Sequence, residues 1–441
     1  MHIITESLSL QSKDKTFPQL QLILSVFYIP LFYFIMIMTK TIEDYLGIKD
    51  RDIKKINTSF KKQYGFSTNY ATHNIYPYPA KFIPHVVRFF LVNYTSPGEI
   101  VFDPFAGSGT VAMESSILGR NWIVYDLNPL IEILVKASTW DNEFPDLKVD
   151  FNYTKTFTPD WKNLYYWHPK EFVEILSRLW GYYHDNPNPL LAIILMKISK
   201  NFSYTDPDFI KPYKSKFAIE RVNHLLSQNY KKIMEKMFNE EMERLKEKIN
   251  EYKRLAKKVE GKVRGGIDIM SAEIPNADAV ITSPPYLQAQ EYIRTFLIEL
   301  HWLGYNDKQI RELEKNEIPY NRTEKTKMNS ETYEKYLEAV KTFNKEELIK
   351  IYETYFSSLA KVFEKIKAEK IGLFVAPVKI RSVRIPIDDI LREHLESIGW
   401  KWDKTFIDII ASRRIKEVKV NPATNLQDER TPTEHLLVMR K

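Results

Sequence analysis

With 441 residues, 44% of them hydrophobic, the chain is long enough to bury a full α/β core and carry a second domain, since single cores stop growing near ~250 to 300 residues. A formal net charge of +7 and an aromatic content of 13% suit a polyanionic partner that offers bases for stacking. Cysteine is absent, which excludes a thiolate nucleophile, a Cys-ligated zinc and any disulfide framework.

Residues 1–38 end in an apolar run, Leu22 to Met38, broken only by Ser25 and Pro30. A bilayer span takes ~20 such residues, and no small-residue cleavage site follows. The preferred reading is a translated leader ahead of an initiator at Met36 or Met38; a membrane anchor and a packed accessory helix stay open. A polar helical pattern covers 39–66, and prolines and aromatics then break it through IYPYPAKFIP. Helical spacing returns in HVVRFFLVNY, before Pro97 and Gly98 turn the chain into the strand EIVFD. A glycine-rich turn, the helix TVAMESSILG and the strand NWIVYD complete a βαβ unit, with Gly119 where a helix C-cap belongs. This first part of an α/β domain spans 39–141.

The alternation stops over 142–262, which the pattern predicts to be an inserted, mainly helical domain. Its aromatic opening (Trp161, Tyr165, Tyr166, Trp167, Trp180, Tyr182, Tyr183) leads to the apolar helix LLAIILMKIS and a loop, FSYTDPDFIKPYKSK. Tyr204, Lys211, Tyr213, Lys214 and Lys216 in that loop could set lysines on phosphates and rings against bases; a solvated loop fits as well. A long charged helix is expected over 217–259. From 263 to 441 the α/β pattern resumes. Asp268 is expected to end a short strand, ADAVITSPPY to be the next, and IGLFVAP another, with a helix around Phe296 to Trp302 between them. WKWDKTFIDIIA and EHLLVMRK read as a closing antiparallel pair. The predicted fold class is α/β, a Rossmann-like twisted and mostly parallel sheet with an antiparallel C-terminal strand.

The residues Asp103, Pro104, Phe105, Ala106, Gly107, Ser108, Gly109 and Thr110 put glycines where a backbone must approach a ligand at a helix N-terminus. Exposed N–H groups there favour the carboxylate end of an amino-acid-like cofactor. An ordinary tight βα turn also fits, whereas a P-loop does not, because no Lys-Ser or Lys-Thr pair follows. Asp126, closing the next strand, can hold two ribose hydroxyls. In Ser283, Pro284, Pro285 and Tyr286, two prolines leave no competing N–H donors and stiffen the turn. An exocyclic amino nitrogen has its lone pair delocalised into its ring, so it attacks poorly until its protons are held by acceptors. Ser283 Oγ and the Pro284 carbonyl are candidates for that task, and Tyr286 for stacking on a base flipped from the duplex.

VFDPFAGSGT and ITSPPY together resemble motifs I and IV of the S-adenosylmethionine-dependent DNA amino-methyltransferases, and IYPYPAKFIP resembles their motif X. The resemblance implies S-adenosyl-L-methionine as cofactor, held by Asp103, Pro104, Phe105, Gly107, Gly109, Thr110, Asp126 and Asn128. It places Lys81 and Phe82 over the methionine end and Asp268 near the adenine ring. It implies catalysis by Ser283, Pro284, Pro285 and Tyr286 without a metal. The order of motifs resembles the alpha-type arrangement, in which target recognition lies between the two motifs. The SPPY form is associated with cytosine N4, and adenine N6 is the alternative. C5 methylation runs through a cysteine adduct and is excluded. The implied partners are double-stranded DNA and, functionally but not necessarily physically, a cognate restriction endonuclease in a cytoplasmic restriction-modification system. A catalytically silent DNA-binding subunit and an RNA amino-methyltransferase are the other classes considered.

Overall fold

Near-continuous apolar strands such as IVFD, AVIT and IGLFV are what a parallel sheet needs when helices cover both of its faces. The computed structural model, which describes residues 54–209, 211–287, 291–318, 326–409 and 433–441, has these strands at the centre of an eight-stranded sheet. The apolar run Leu22 to Met38 lies outside the described residues, as does most of the helix expected over 39–66. Lys55–Lys441 is one compact unit.

The strands of this sheet are β1 (Lys55–Thr58), β2 (Ile100–Asp103), β3 (Asn121–Tyr125), β4 (Gly261–Arg264), β5 (Ala279–Thr282), β6 (Lys370–Val375), β9 (Lys401–Ile409) and β10 (Thr433–Arg440); β7 (Val378–Ile380) and β8 (Val383–Ile385) form a separate hairpin. The order across the sheet is β1-β9-β10-β6-β5-β2-β3-β4. Every neighbouring pair is parallel except those of β10, which runs antiparallel to both β6 and β9. The fold is therefore α/β and Rossmann-like, with the expected closing antiparallel pair. The chain adds strands outward from β2 through β3 to β4, then returns to add β5 and β6 on the other side. That reversal between β2 and β5 is a topological switch point, where a crevice opens at the carboxyl ends of the strands.

One face of the sheet is covered by helices Pro84–Tyr94 and Thr110–Leu118, the other by Glu346–Glu364 and Ile387–Ser397. Gly372 lets the first helix come close, since a Cβ there would lie 2.7 Å from the Phe90 ring. Residues 55–58 form strand β1 and not part of a helix. The alternating Ile56 and Thr58 pair in parallel with Phe406 and Asp408 of β9, so tertiary pairing overrides the local pattern.

Between β3 and β4 the chain is helical. The helix Pro189–Asn201 starts on an Asn188 cap, whose side chain accepts from Leu190 N at 2.8 Å. The helix expected over 217–259 is two helices, Lys216–Leu226 and Tyr230–Leu255, because Asn229 accepts from Lys232 N at 3.2 Å and restarts the chain as a new N-cap. The second buries Met234, Phe238, Leu245, Ile249 and Tyr252, a single stripe at helical spacing. These helices share one apolar core with Leu130, Leu134 and the helix Leu297–Trp302; the Trp180 and Trp302 rings stack with centroids 6.1 Å apart. No helix among the described residues is long and apolar enough to cross a membrane.

Candidate active site

A cavity opens at the switch point. It is walled by the segments that follow β2, β3, β4 and β5, closed over by Tyr78 to Phe82, and bordered by Asn316 to Ile318. Motifs far apart in sequence meet here because parallel strands deliver all their carboxyl ends to one edge.

The glycine-rich turn contributes Pro104, Phe105, Ala106, Gly107 and Ser108 to the wall. Gly107 takes φ 53°, and a Cβ on it would meet the Tyr78 ring at 3.3 Å. Three predicted residues stand behind the wall instead. Gly109, at φ 79°, has Val135 Cγ2 2.4 Å from where its Cβ would sit, so it serves the packing of helix Ile131–Ser138. Thr110 is buried and its Oγ1 donates to the Phe82 carbonyl at 3.1 Å, tying the turn to the segment above it. Asp103 Oδ1 accepts from Thr282 Oγ1 at 2.6 Å and from Phe105 N at 3.0 Å. It braces β2 against β5 one residue before Ser283. Burial pushes its carboxyl up to about 7, against the pull of those two hydrogen bonds.

Asp126 reaches the cavity from the end of β3. Its Oδ2 accepts from Gly107 N and its Oδ1 from Asn128 N, both at 2.8 Å, so the acid fixes the glycine turn as well as facing the ligand space. Burial raises it to about 6. Asn128 lines the cavity beside it, and its Oδ1 accepts from Leu130 N at 3.0 Å. Asp268 also lines the cavity, but not from the end of a strand. β4 stops at Arg264, the Gly265 N–H turns away to Glu132 Oε1 at 3.1 Å, and Gly266 takes φ 68°, so the chain leaves the sheet before Asp268.

Lys81 and Phe82 are both on the wall. Lys81 Nζ donates to the His73 carbonyl, and burial lowers its pKa to about 8. Phe82 stacks on Phe374 of β6 at 5.6 Å. Beneath this segment lies a polar node that no motif announces. Glu114, fully buried in helix Thr110–Leu118, accepts from His73 Nε2 and Arg88 Nε at 2.8 Å each, and from the Tyr70 hydroxyl. Burial opposes its ionisation, but these partners outweigh burial and hold its carboxyl below the usual range. An acid in the otherwise apolar and small run TVAMESSIL was the available signal.

Ser283, Pro284, Pro285 and Tyr286 leave β5 directly onto the cavity wall. The Tyr286 hydroxyl lies 3.4 Å from Glu434 Oε1 of β10, and burial raises its pKa far above the usual range. Glu434 itself is lifted to about 7 by burial and by neighbouring Asp408. Tyr78, Tyr292 and Glu317 also line the wall; Tyr78 stands within IYPYPAKFIP, whereas Tyr292 and Glu317 stand in no motif.

The loop residues lie outside the cavity. Lys214 Nζ sits 3.9 Å from the Tyr204 ring centroid and 4.6 Å from that of Tyr166. Tyr213 packs on Phe209 with centroids 5.0 Å apart and stays 53% exposed. Lys216 is exposed at a helix start, and Lys211 pairs with Glu291, next to Tyr292 of the wall.

Residues 6–136 match the family model described as DNA methylase. The chain is also similar to type II methyltransferases. It is 25% identical over 308 residues to M.BsoBI of Geobacillus stearothermophilus, covering 60% of this chain and 59% of that protein. M.MjaII of Methanocaldococcus jannaschii is 31% identical over 180 residues, or 40% of this chain and 28% of that protein. M.MvaI of Kocuria varians is 31% identical over 160 residues, or 30% and 35%. The matched stretches thus span less than two thirds of each of these methyltransferases. The DNA methylase match contains the glycine turn, Asp126 and Lys81, three parts of one cavity wall.

Proposed function

We propose that the protein is an S-adenosylmethionine-dependent, site-specific DNA methyltransferase acting on the exocyclic N4 of cytosine. The observation that carries this reading is the meeting of SPPY with the glycine-rich turn and Asp126 on one cavity wall at the switch point. Similarity to type II methyltransferases supports DNA as substrate. The cavity suits the cofactor in its chemistry. The glycine turn can meet a carboxylate at Ser108, ahead of helix Thr110–Leu118, the N–H groups of Phe105, Ala106, Gly107 and Gly109 being bonded within the protein, and Asp126 offers acceptors for a ribose diol. When bound, the sulfonium supplies an electrophilic methyl group.

The chain's own part is positioning. Ser283 Oγ and the Pro284 carbonyl accept the amino protons of the target base, so that its nitrogen lone pair is freed from the ring. Asp103, hydrogen-bonded to Thr282, holds the strand end that carries both acceptors. The Tyr286 ring stacks on the flipped base, with its hydroxyl directed to Glu434. The helical block at 142–262 is the proposed target-recognition part; Tyr165, Tyr166, Phe209, Tyr213 and Phe217 are all exposed there, among lysines. An N4-methyl projects into the major groove without abolishing base pairing, which suits protection from a cognate endonuclease.

The test is transfer of labelled methyl from S-adenosylmethionine to plasmid DNA and, in parallel, to tRNA. Label in duplex DNA, abolished by Ser283→Ala, is the expected result. Label in tRNA alone would overturn the reading.

A further inference from the structure

Glu317 is an acid of the cavity wall that no motif accounts for. It is 6% exposed, and its Oε1 accepts from Ile293 N at 2.9 Å, capping the short helix Tyr292–Thr295. Two observations give it more than a capping role. The first is its location. Among the described residues, the charged and titratable groups around it are Tyr78, Tyr292, Asp126 and Glu314, with Glu291 and Arg294 in an adjoining pocket. Tyr78 in turn lies against Gly107. Asp268, by contrast, has Lys365 as its charged neighbour. Glu317 therefore belongs to the glycine-turn end of the cavity.

The second is charge. The N–H groups of Phe105, Ala106, Gly107 and Gly109 are bonded within the protein, so Ser108, on the wall ahead of helix Thr110–Leu118, is where the turn can meet a carboxylate. Lys81, the lysine of the described wall, has its ammonium on the His73 carbonyl, so it is not paired with either Asp126 or Glu317. An α-amino acid seated by its carboxylate presents an ammonium from the same carbon.

We propose that Glu317 binds the α-ammonium of the methionyl end of S-adenosylmethionine, leaving Asp126 to the ribose; this rests on the function proposed above. Burial pushes the free carboxyl up to about 7, against the Ile293 hydrogen bond, and an ammonium alongside would draw it back to the ionised form. Cofactor binding near neutral pH then releases a proton.

The test is calorimetric binding of S-adenosylmethionine, S-adenosylhomocysteine and 5′-methylthioadenosine, which lacks the amino-acid portion, to the full chain and to Glu317→Gln. The variant is expected to bind the first two about 10- to 100-fold more weakly, as for a lost charged hydrogen bond, and methylthioadenosine within about 2-fold of wild type. Wild type is expected to release a proton with the first two ligands at pH 7, read from the dependence of binding enthalpy on buffer. Equal weakening for all three ligands would overturn the assignment. So would the absence of proton release in wild type, a measurement that needs no variant to fold. Failure of wild type to bind S-adenosylmethionine would instead overturn the proposed function, and this assignment with it.

Discussion

The cavity wall and the aromatic loop of the helical block are built in opposite ways. Around the cavity, the carboxylates are buried or partly buried, each tied to backbone: Asp126 to Gly107 and Asn128, Asp103 to Phe105, Glu317 to Ile293. In the loop, Tyr213 and Phe209 are half exposed and pack on each other, and Lys214 rests on two rings with its ammonium on the Tyr166 carbonyl at 2.9 Å. A reaction centre needs atoms fixed before the ligand arrives. A surface for a long polyanion gains from side chains that settle when it docks.

That contrast makes separable predictions. The largest effect is expected at the reaction centre. Ser283→Ala should lower kcat about 100- to 1,000-fold, the scale for removing one group aimed at developing charge, while DNA affinity in a filter or anisotropy assay changes little. A matching loss of DNA affinity would blur the distinction between the two regions.

Glu114→Ala comes next, because it leaves Arg88 and His73 without their shared carboxylate in a buried site. A loss of about 3–5 kcal/mol in denaturant unfolding is expected for such a broken pair. Since its folded pKa is lowered, Glu114 contributes stability above the ordinary carboxylate value of 4.5, and that contribution is lost as pH falls through the lower folded value. Glu114→Gln should flatten that acid limb.

Asp103 gives the opposite sign. Its folded pKa, raised to about 7, means that its contribution is complete below 3.8 and is lost as pH rises toward 7. Asp103→Asn keeps an acceptor for Thr282 and should raise the melting temperature of the ligand-free protein at pH 8 but not at pH 4. An equal effect at both values would show that the carboxyl ionises freely.

The smallest effects belong to the loop. Lys214→Ala is expected to reduce the slope of log affinity against log salt by about 1, as for one phosphate contact. Tyr213→Ala should weaken DNA binding by about 1 kcal/mol or more, as for one lost base stack. Neither should alter S-adenosylmethionine binding, and a change there would break the separation.

The cavity was legible in sequence wherever function needs an unusual local backbone. Gly107, the two prolines of SPPY and Asp126 at a strand end announce themselves through their neighbours. Gly109 and Thr110 were legible as part of the turn, but their work behind the wall, against Val135 and Phe82, depends on contacts with distant segments. Glu317 and Tyr292 were not legible, since each reaches the cavity through tertiary packing from a segment with ordinary local pattern, and nor was Glu434, which meets Tyr286 from β10. The same limit hid strand β1, whose pairing with β9 spans most of the chain, and the break at Asn229, where one cap outweighs a sustained helical period.

The most direct measurement is mass spectrometry of nucleosides from plasmid DNA methylated by the purified protein. N4-methylcytosine, absent with Ser283→Ala, is the expected result. N6-methyladenine alone, or no modified nucleoside from duplex DNA, would contradict the account.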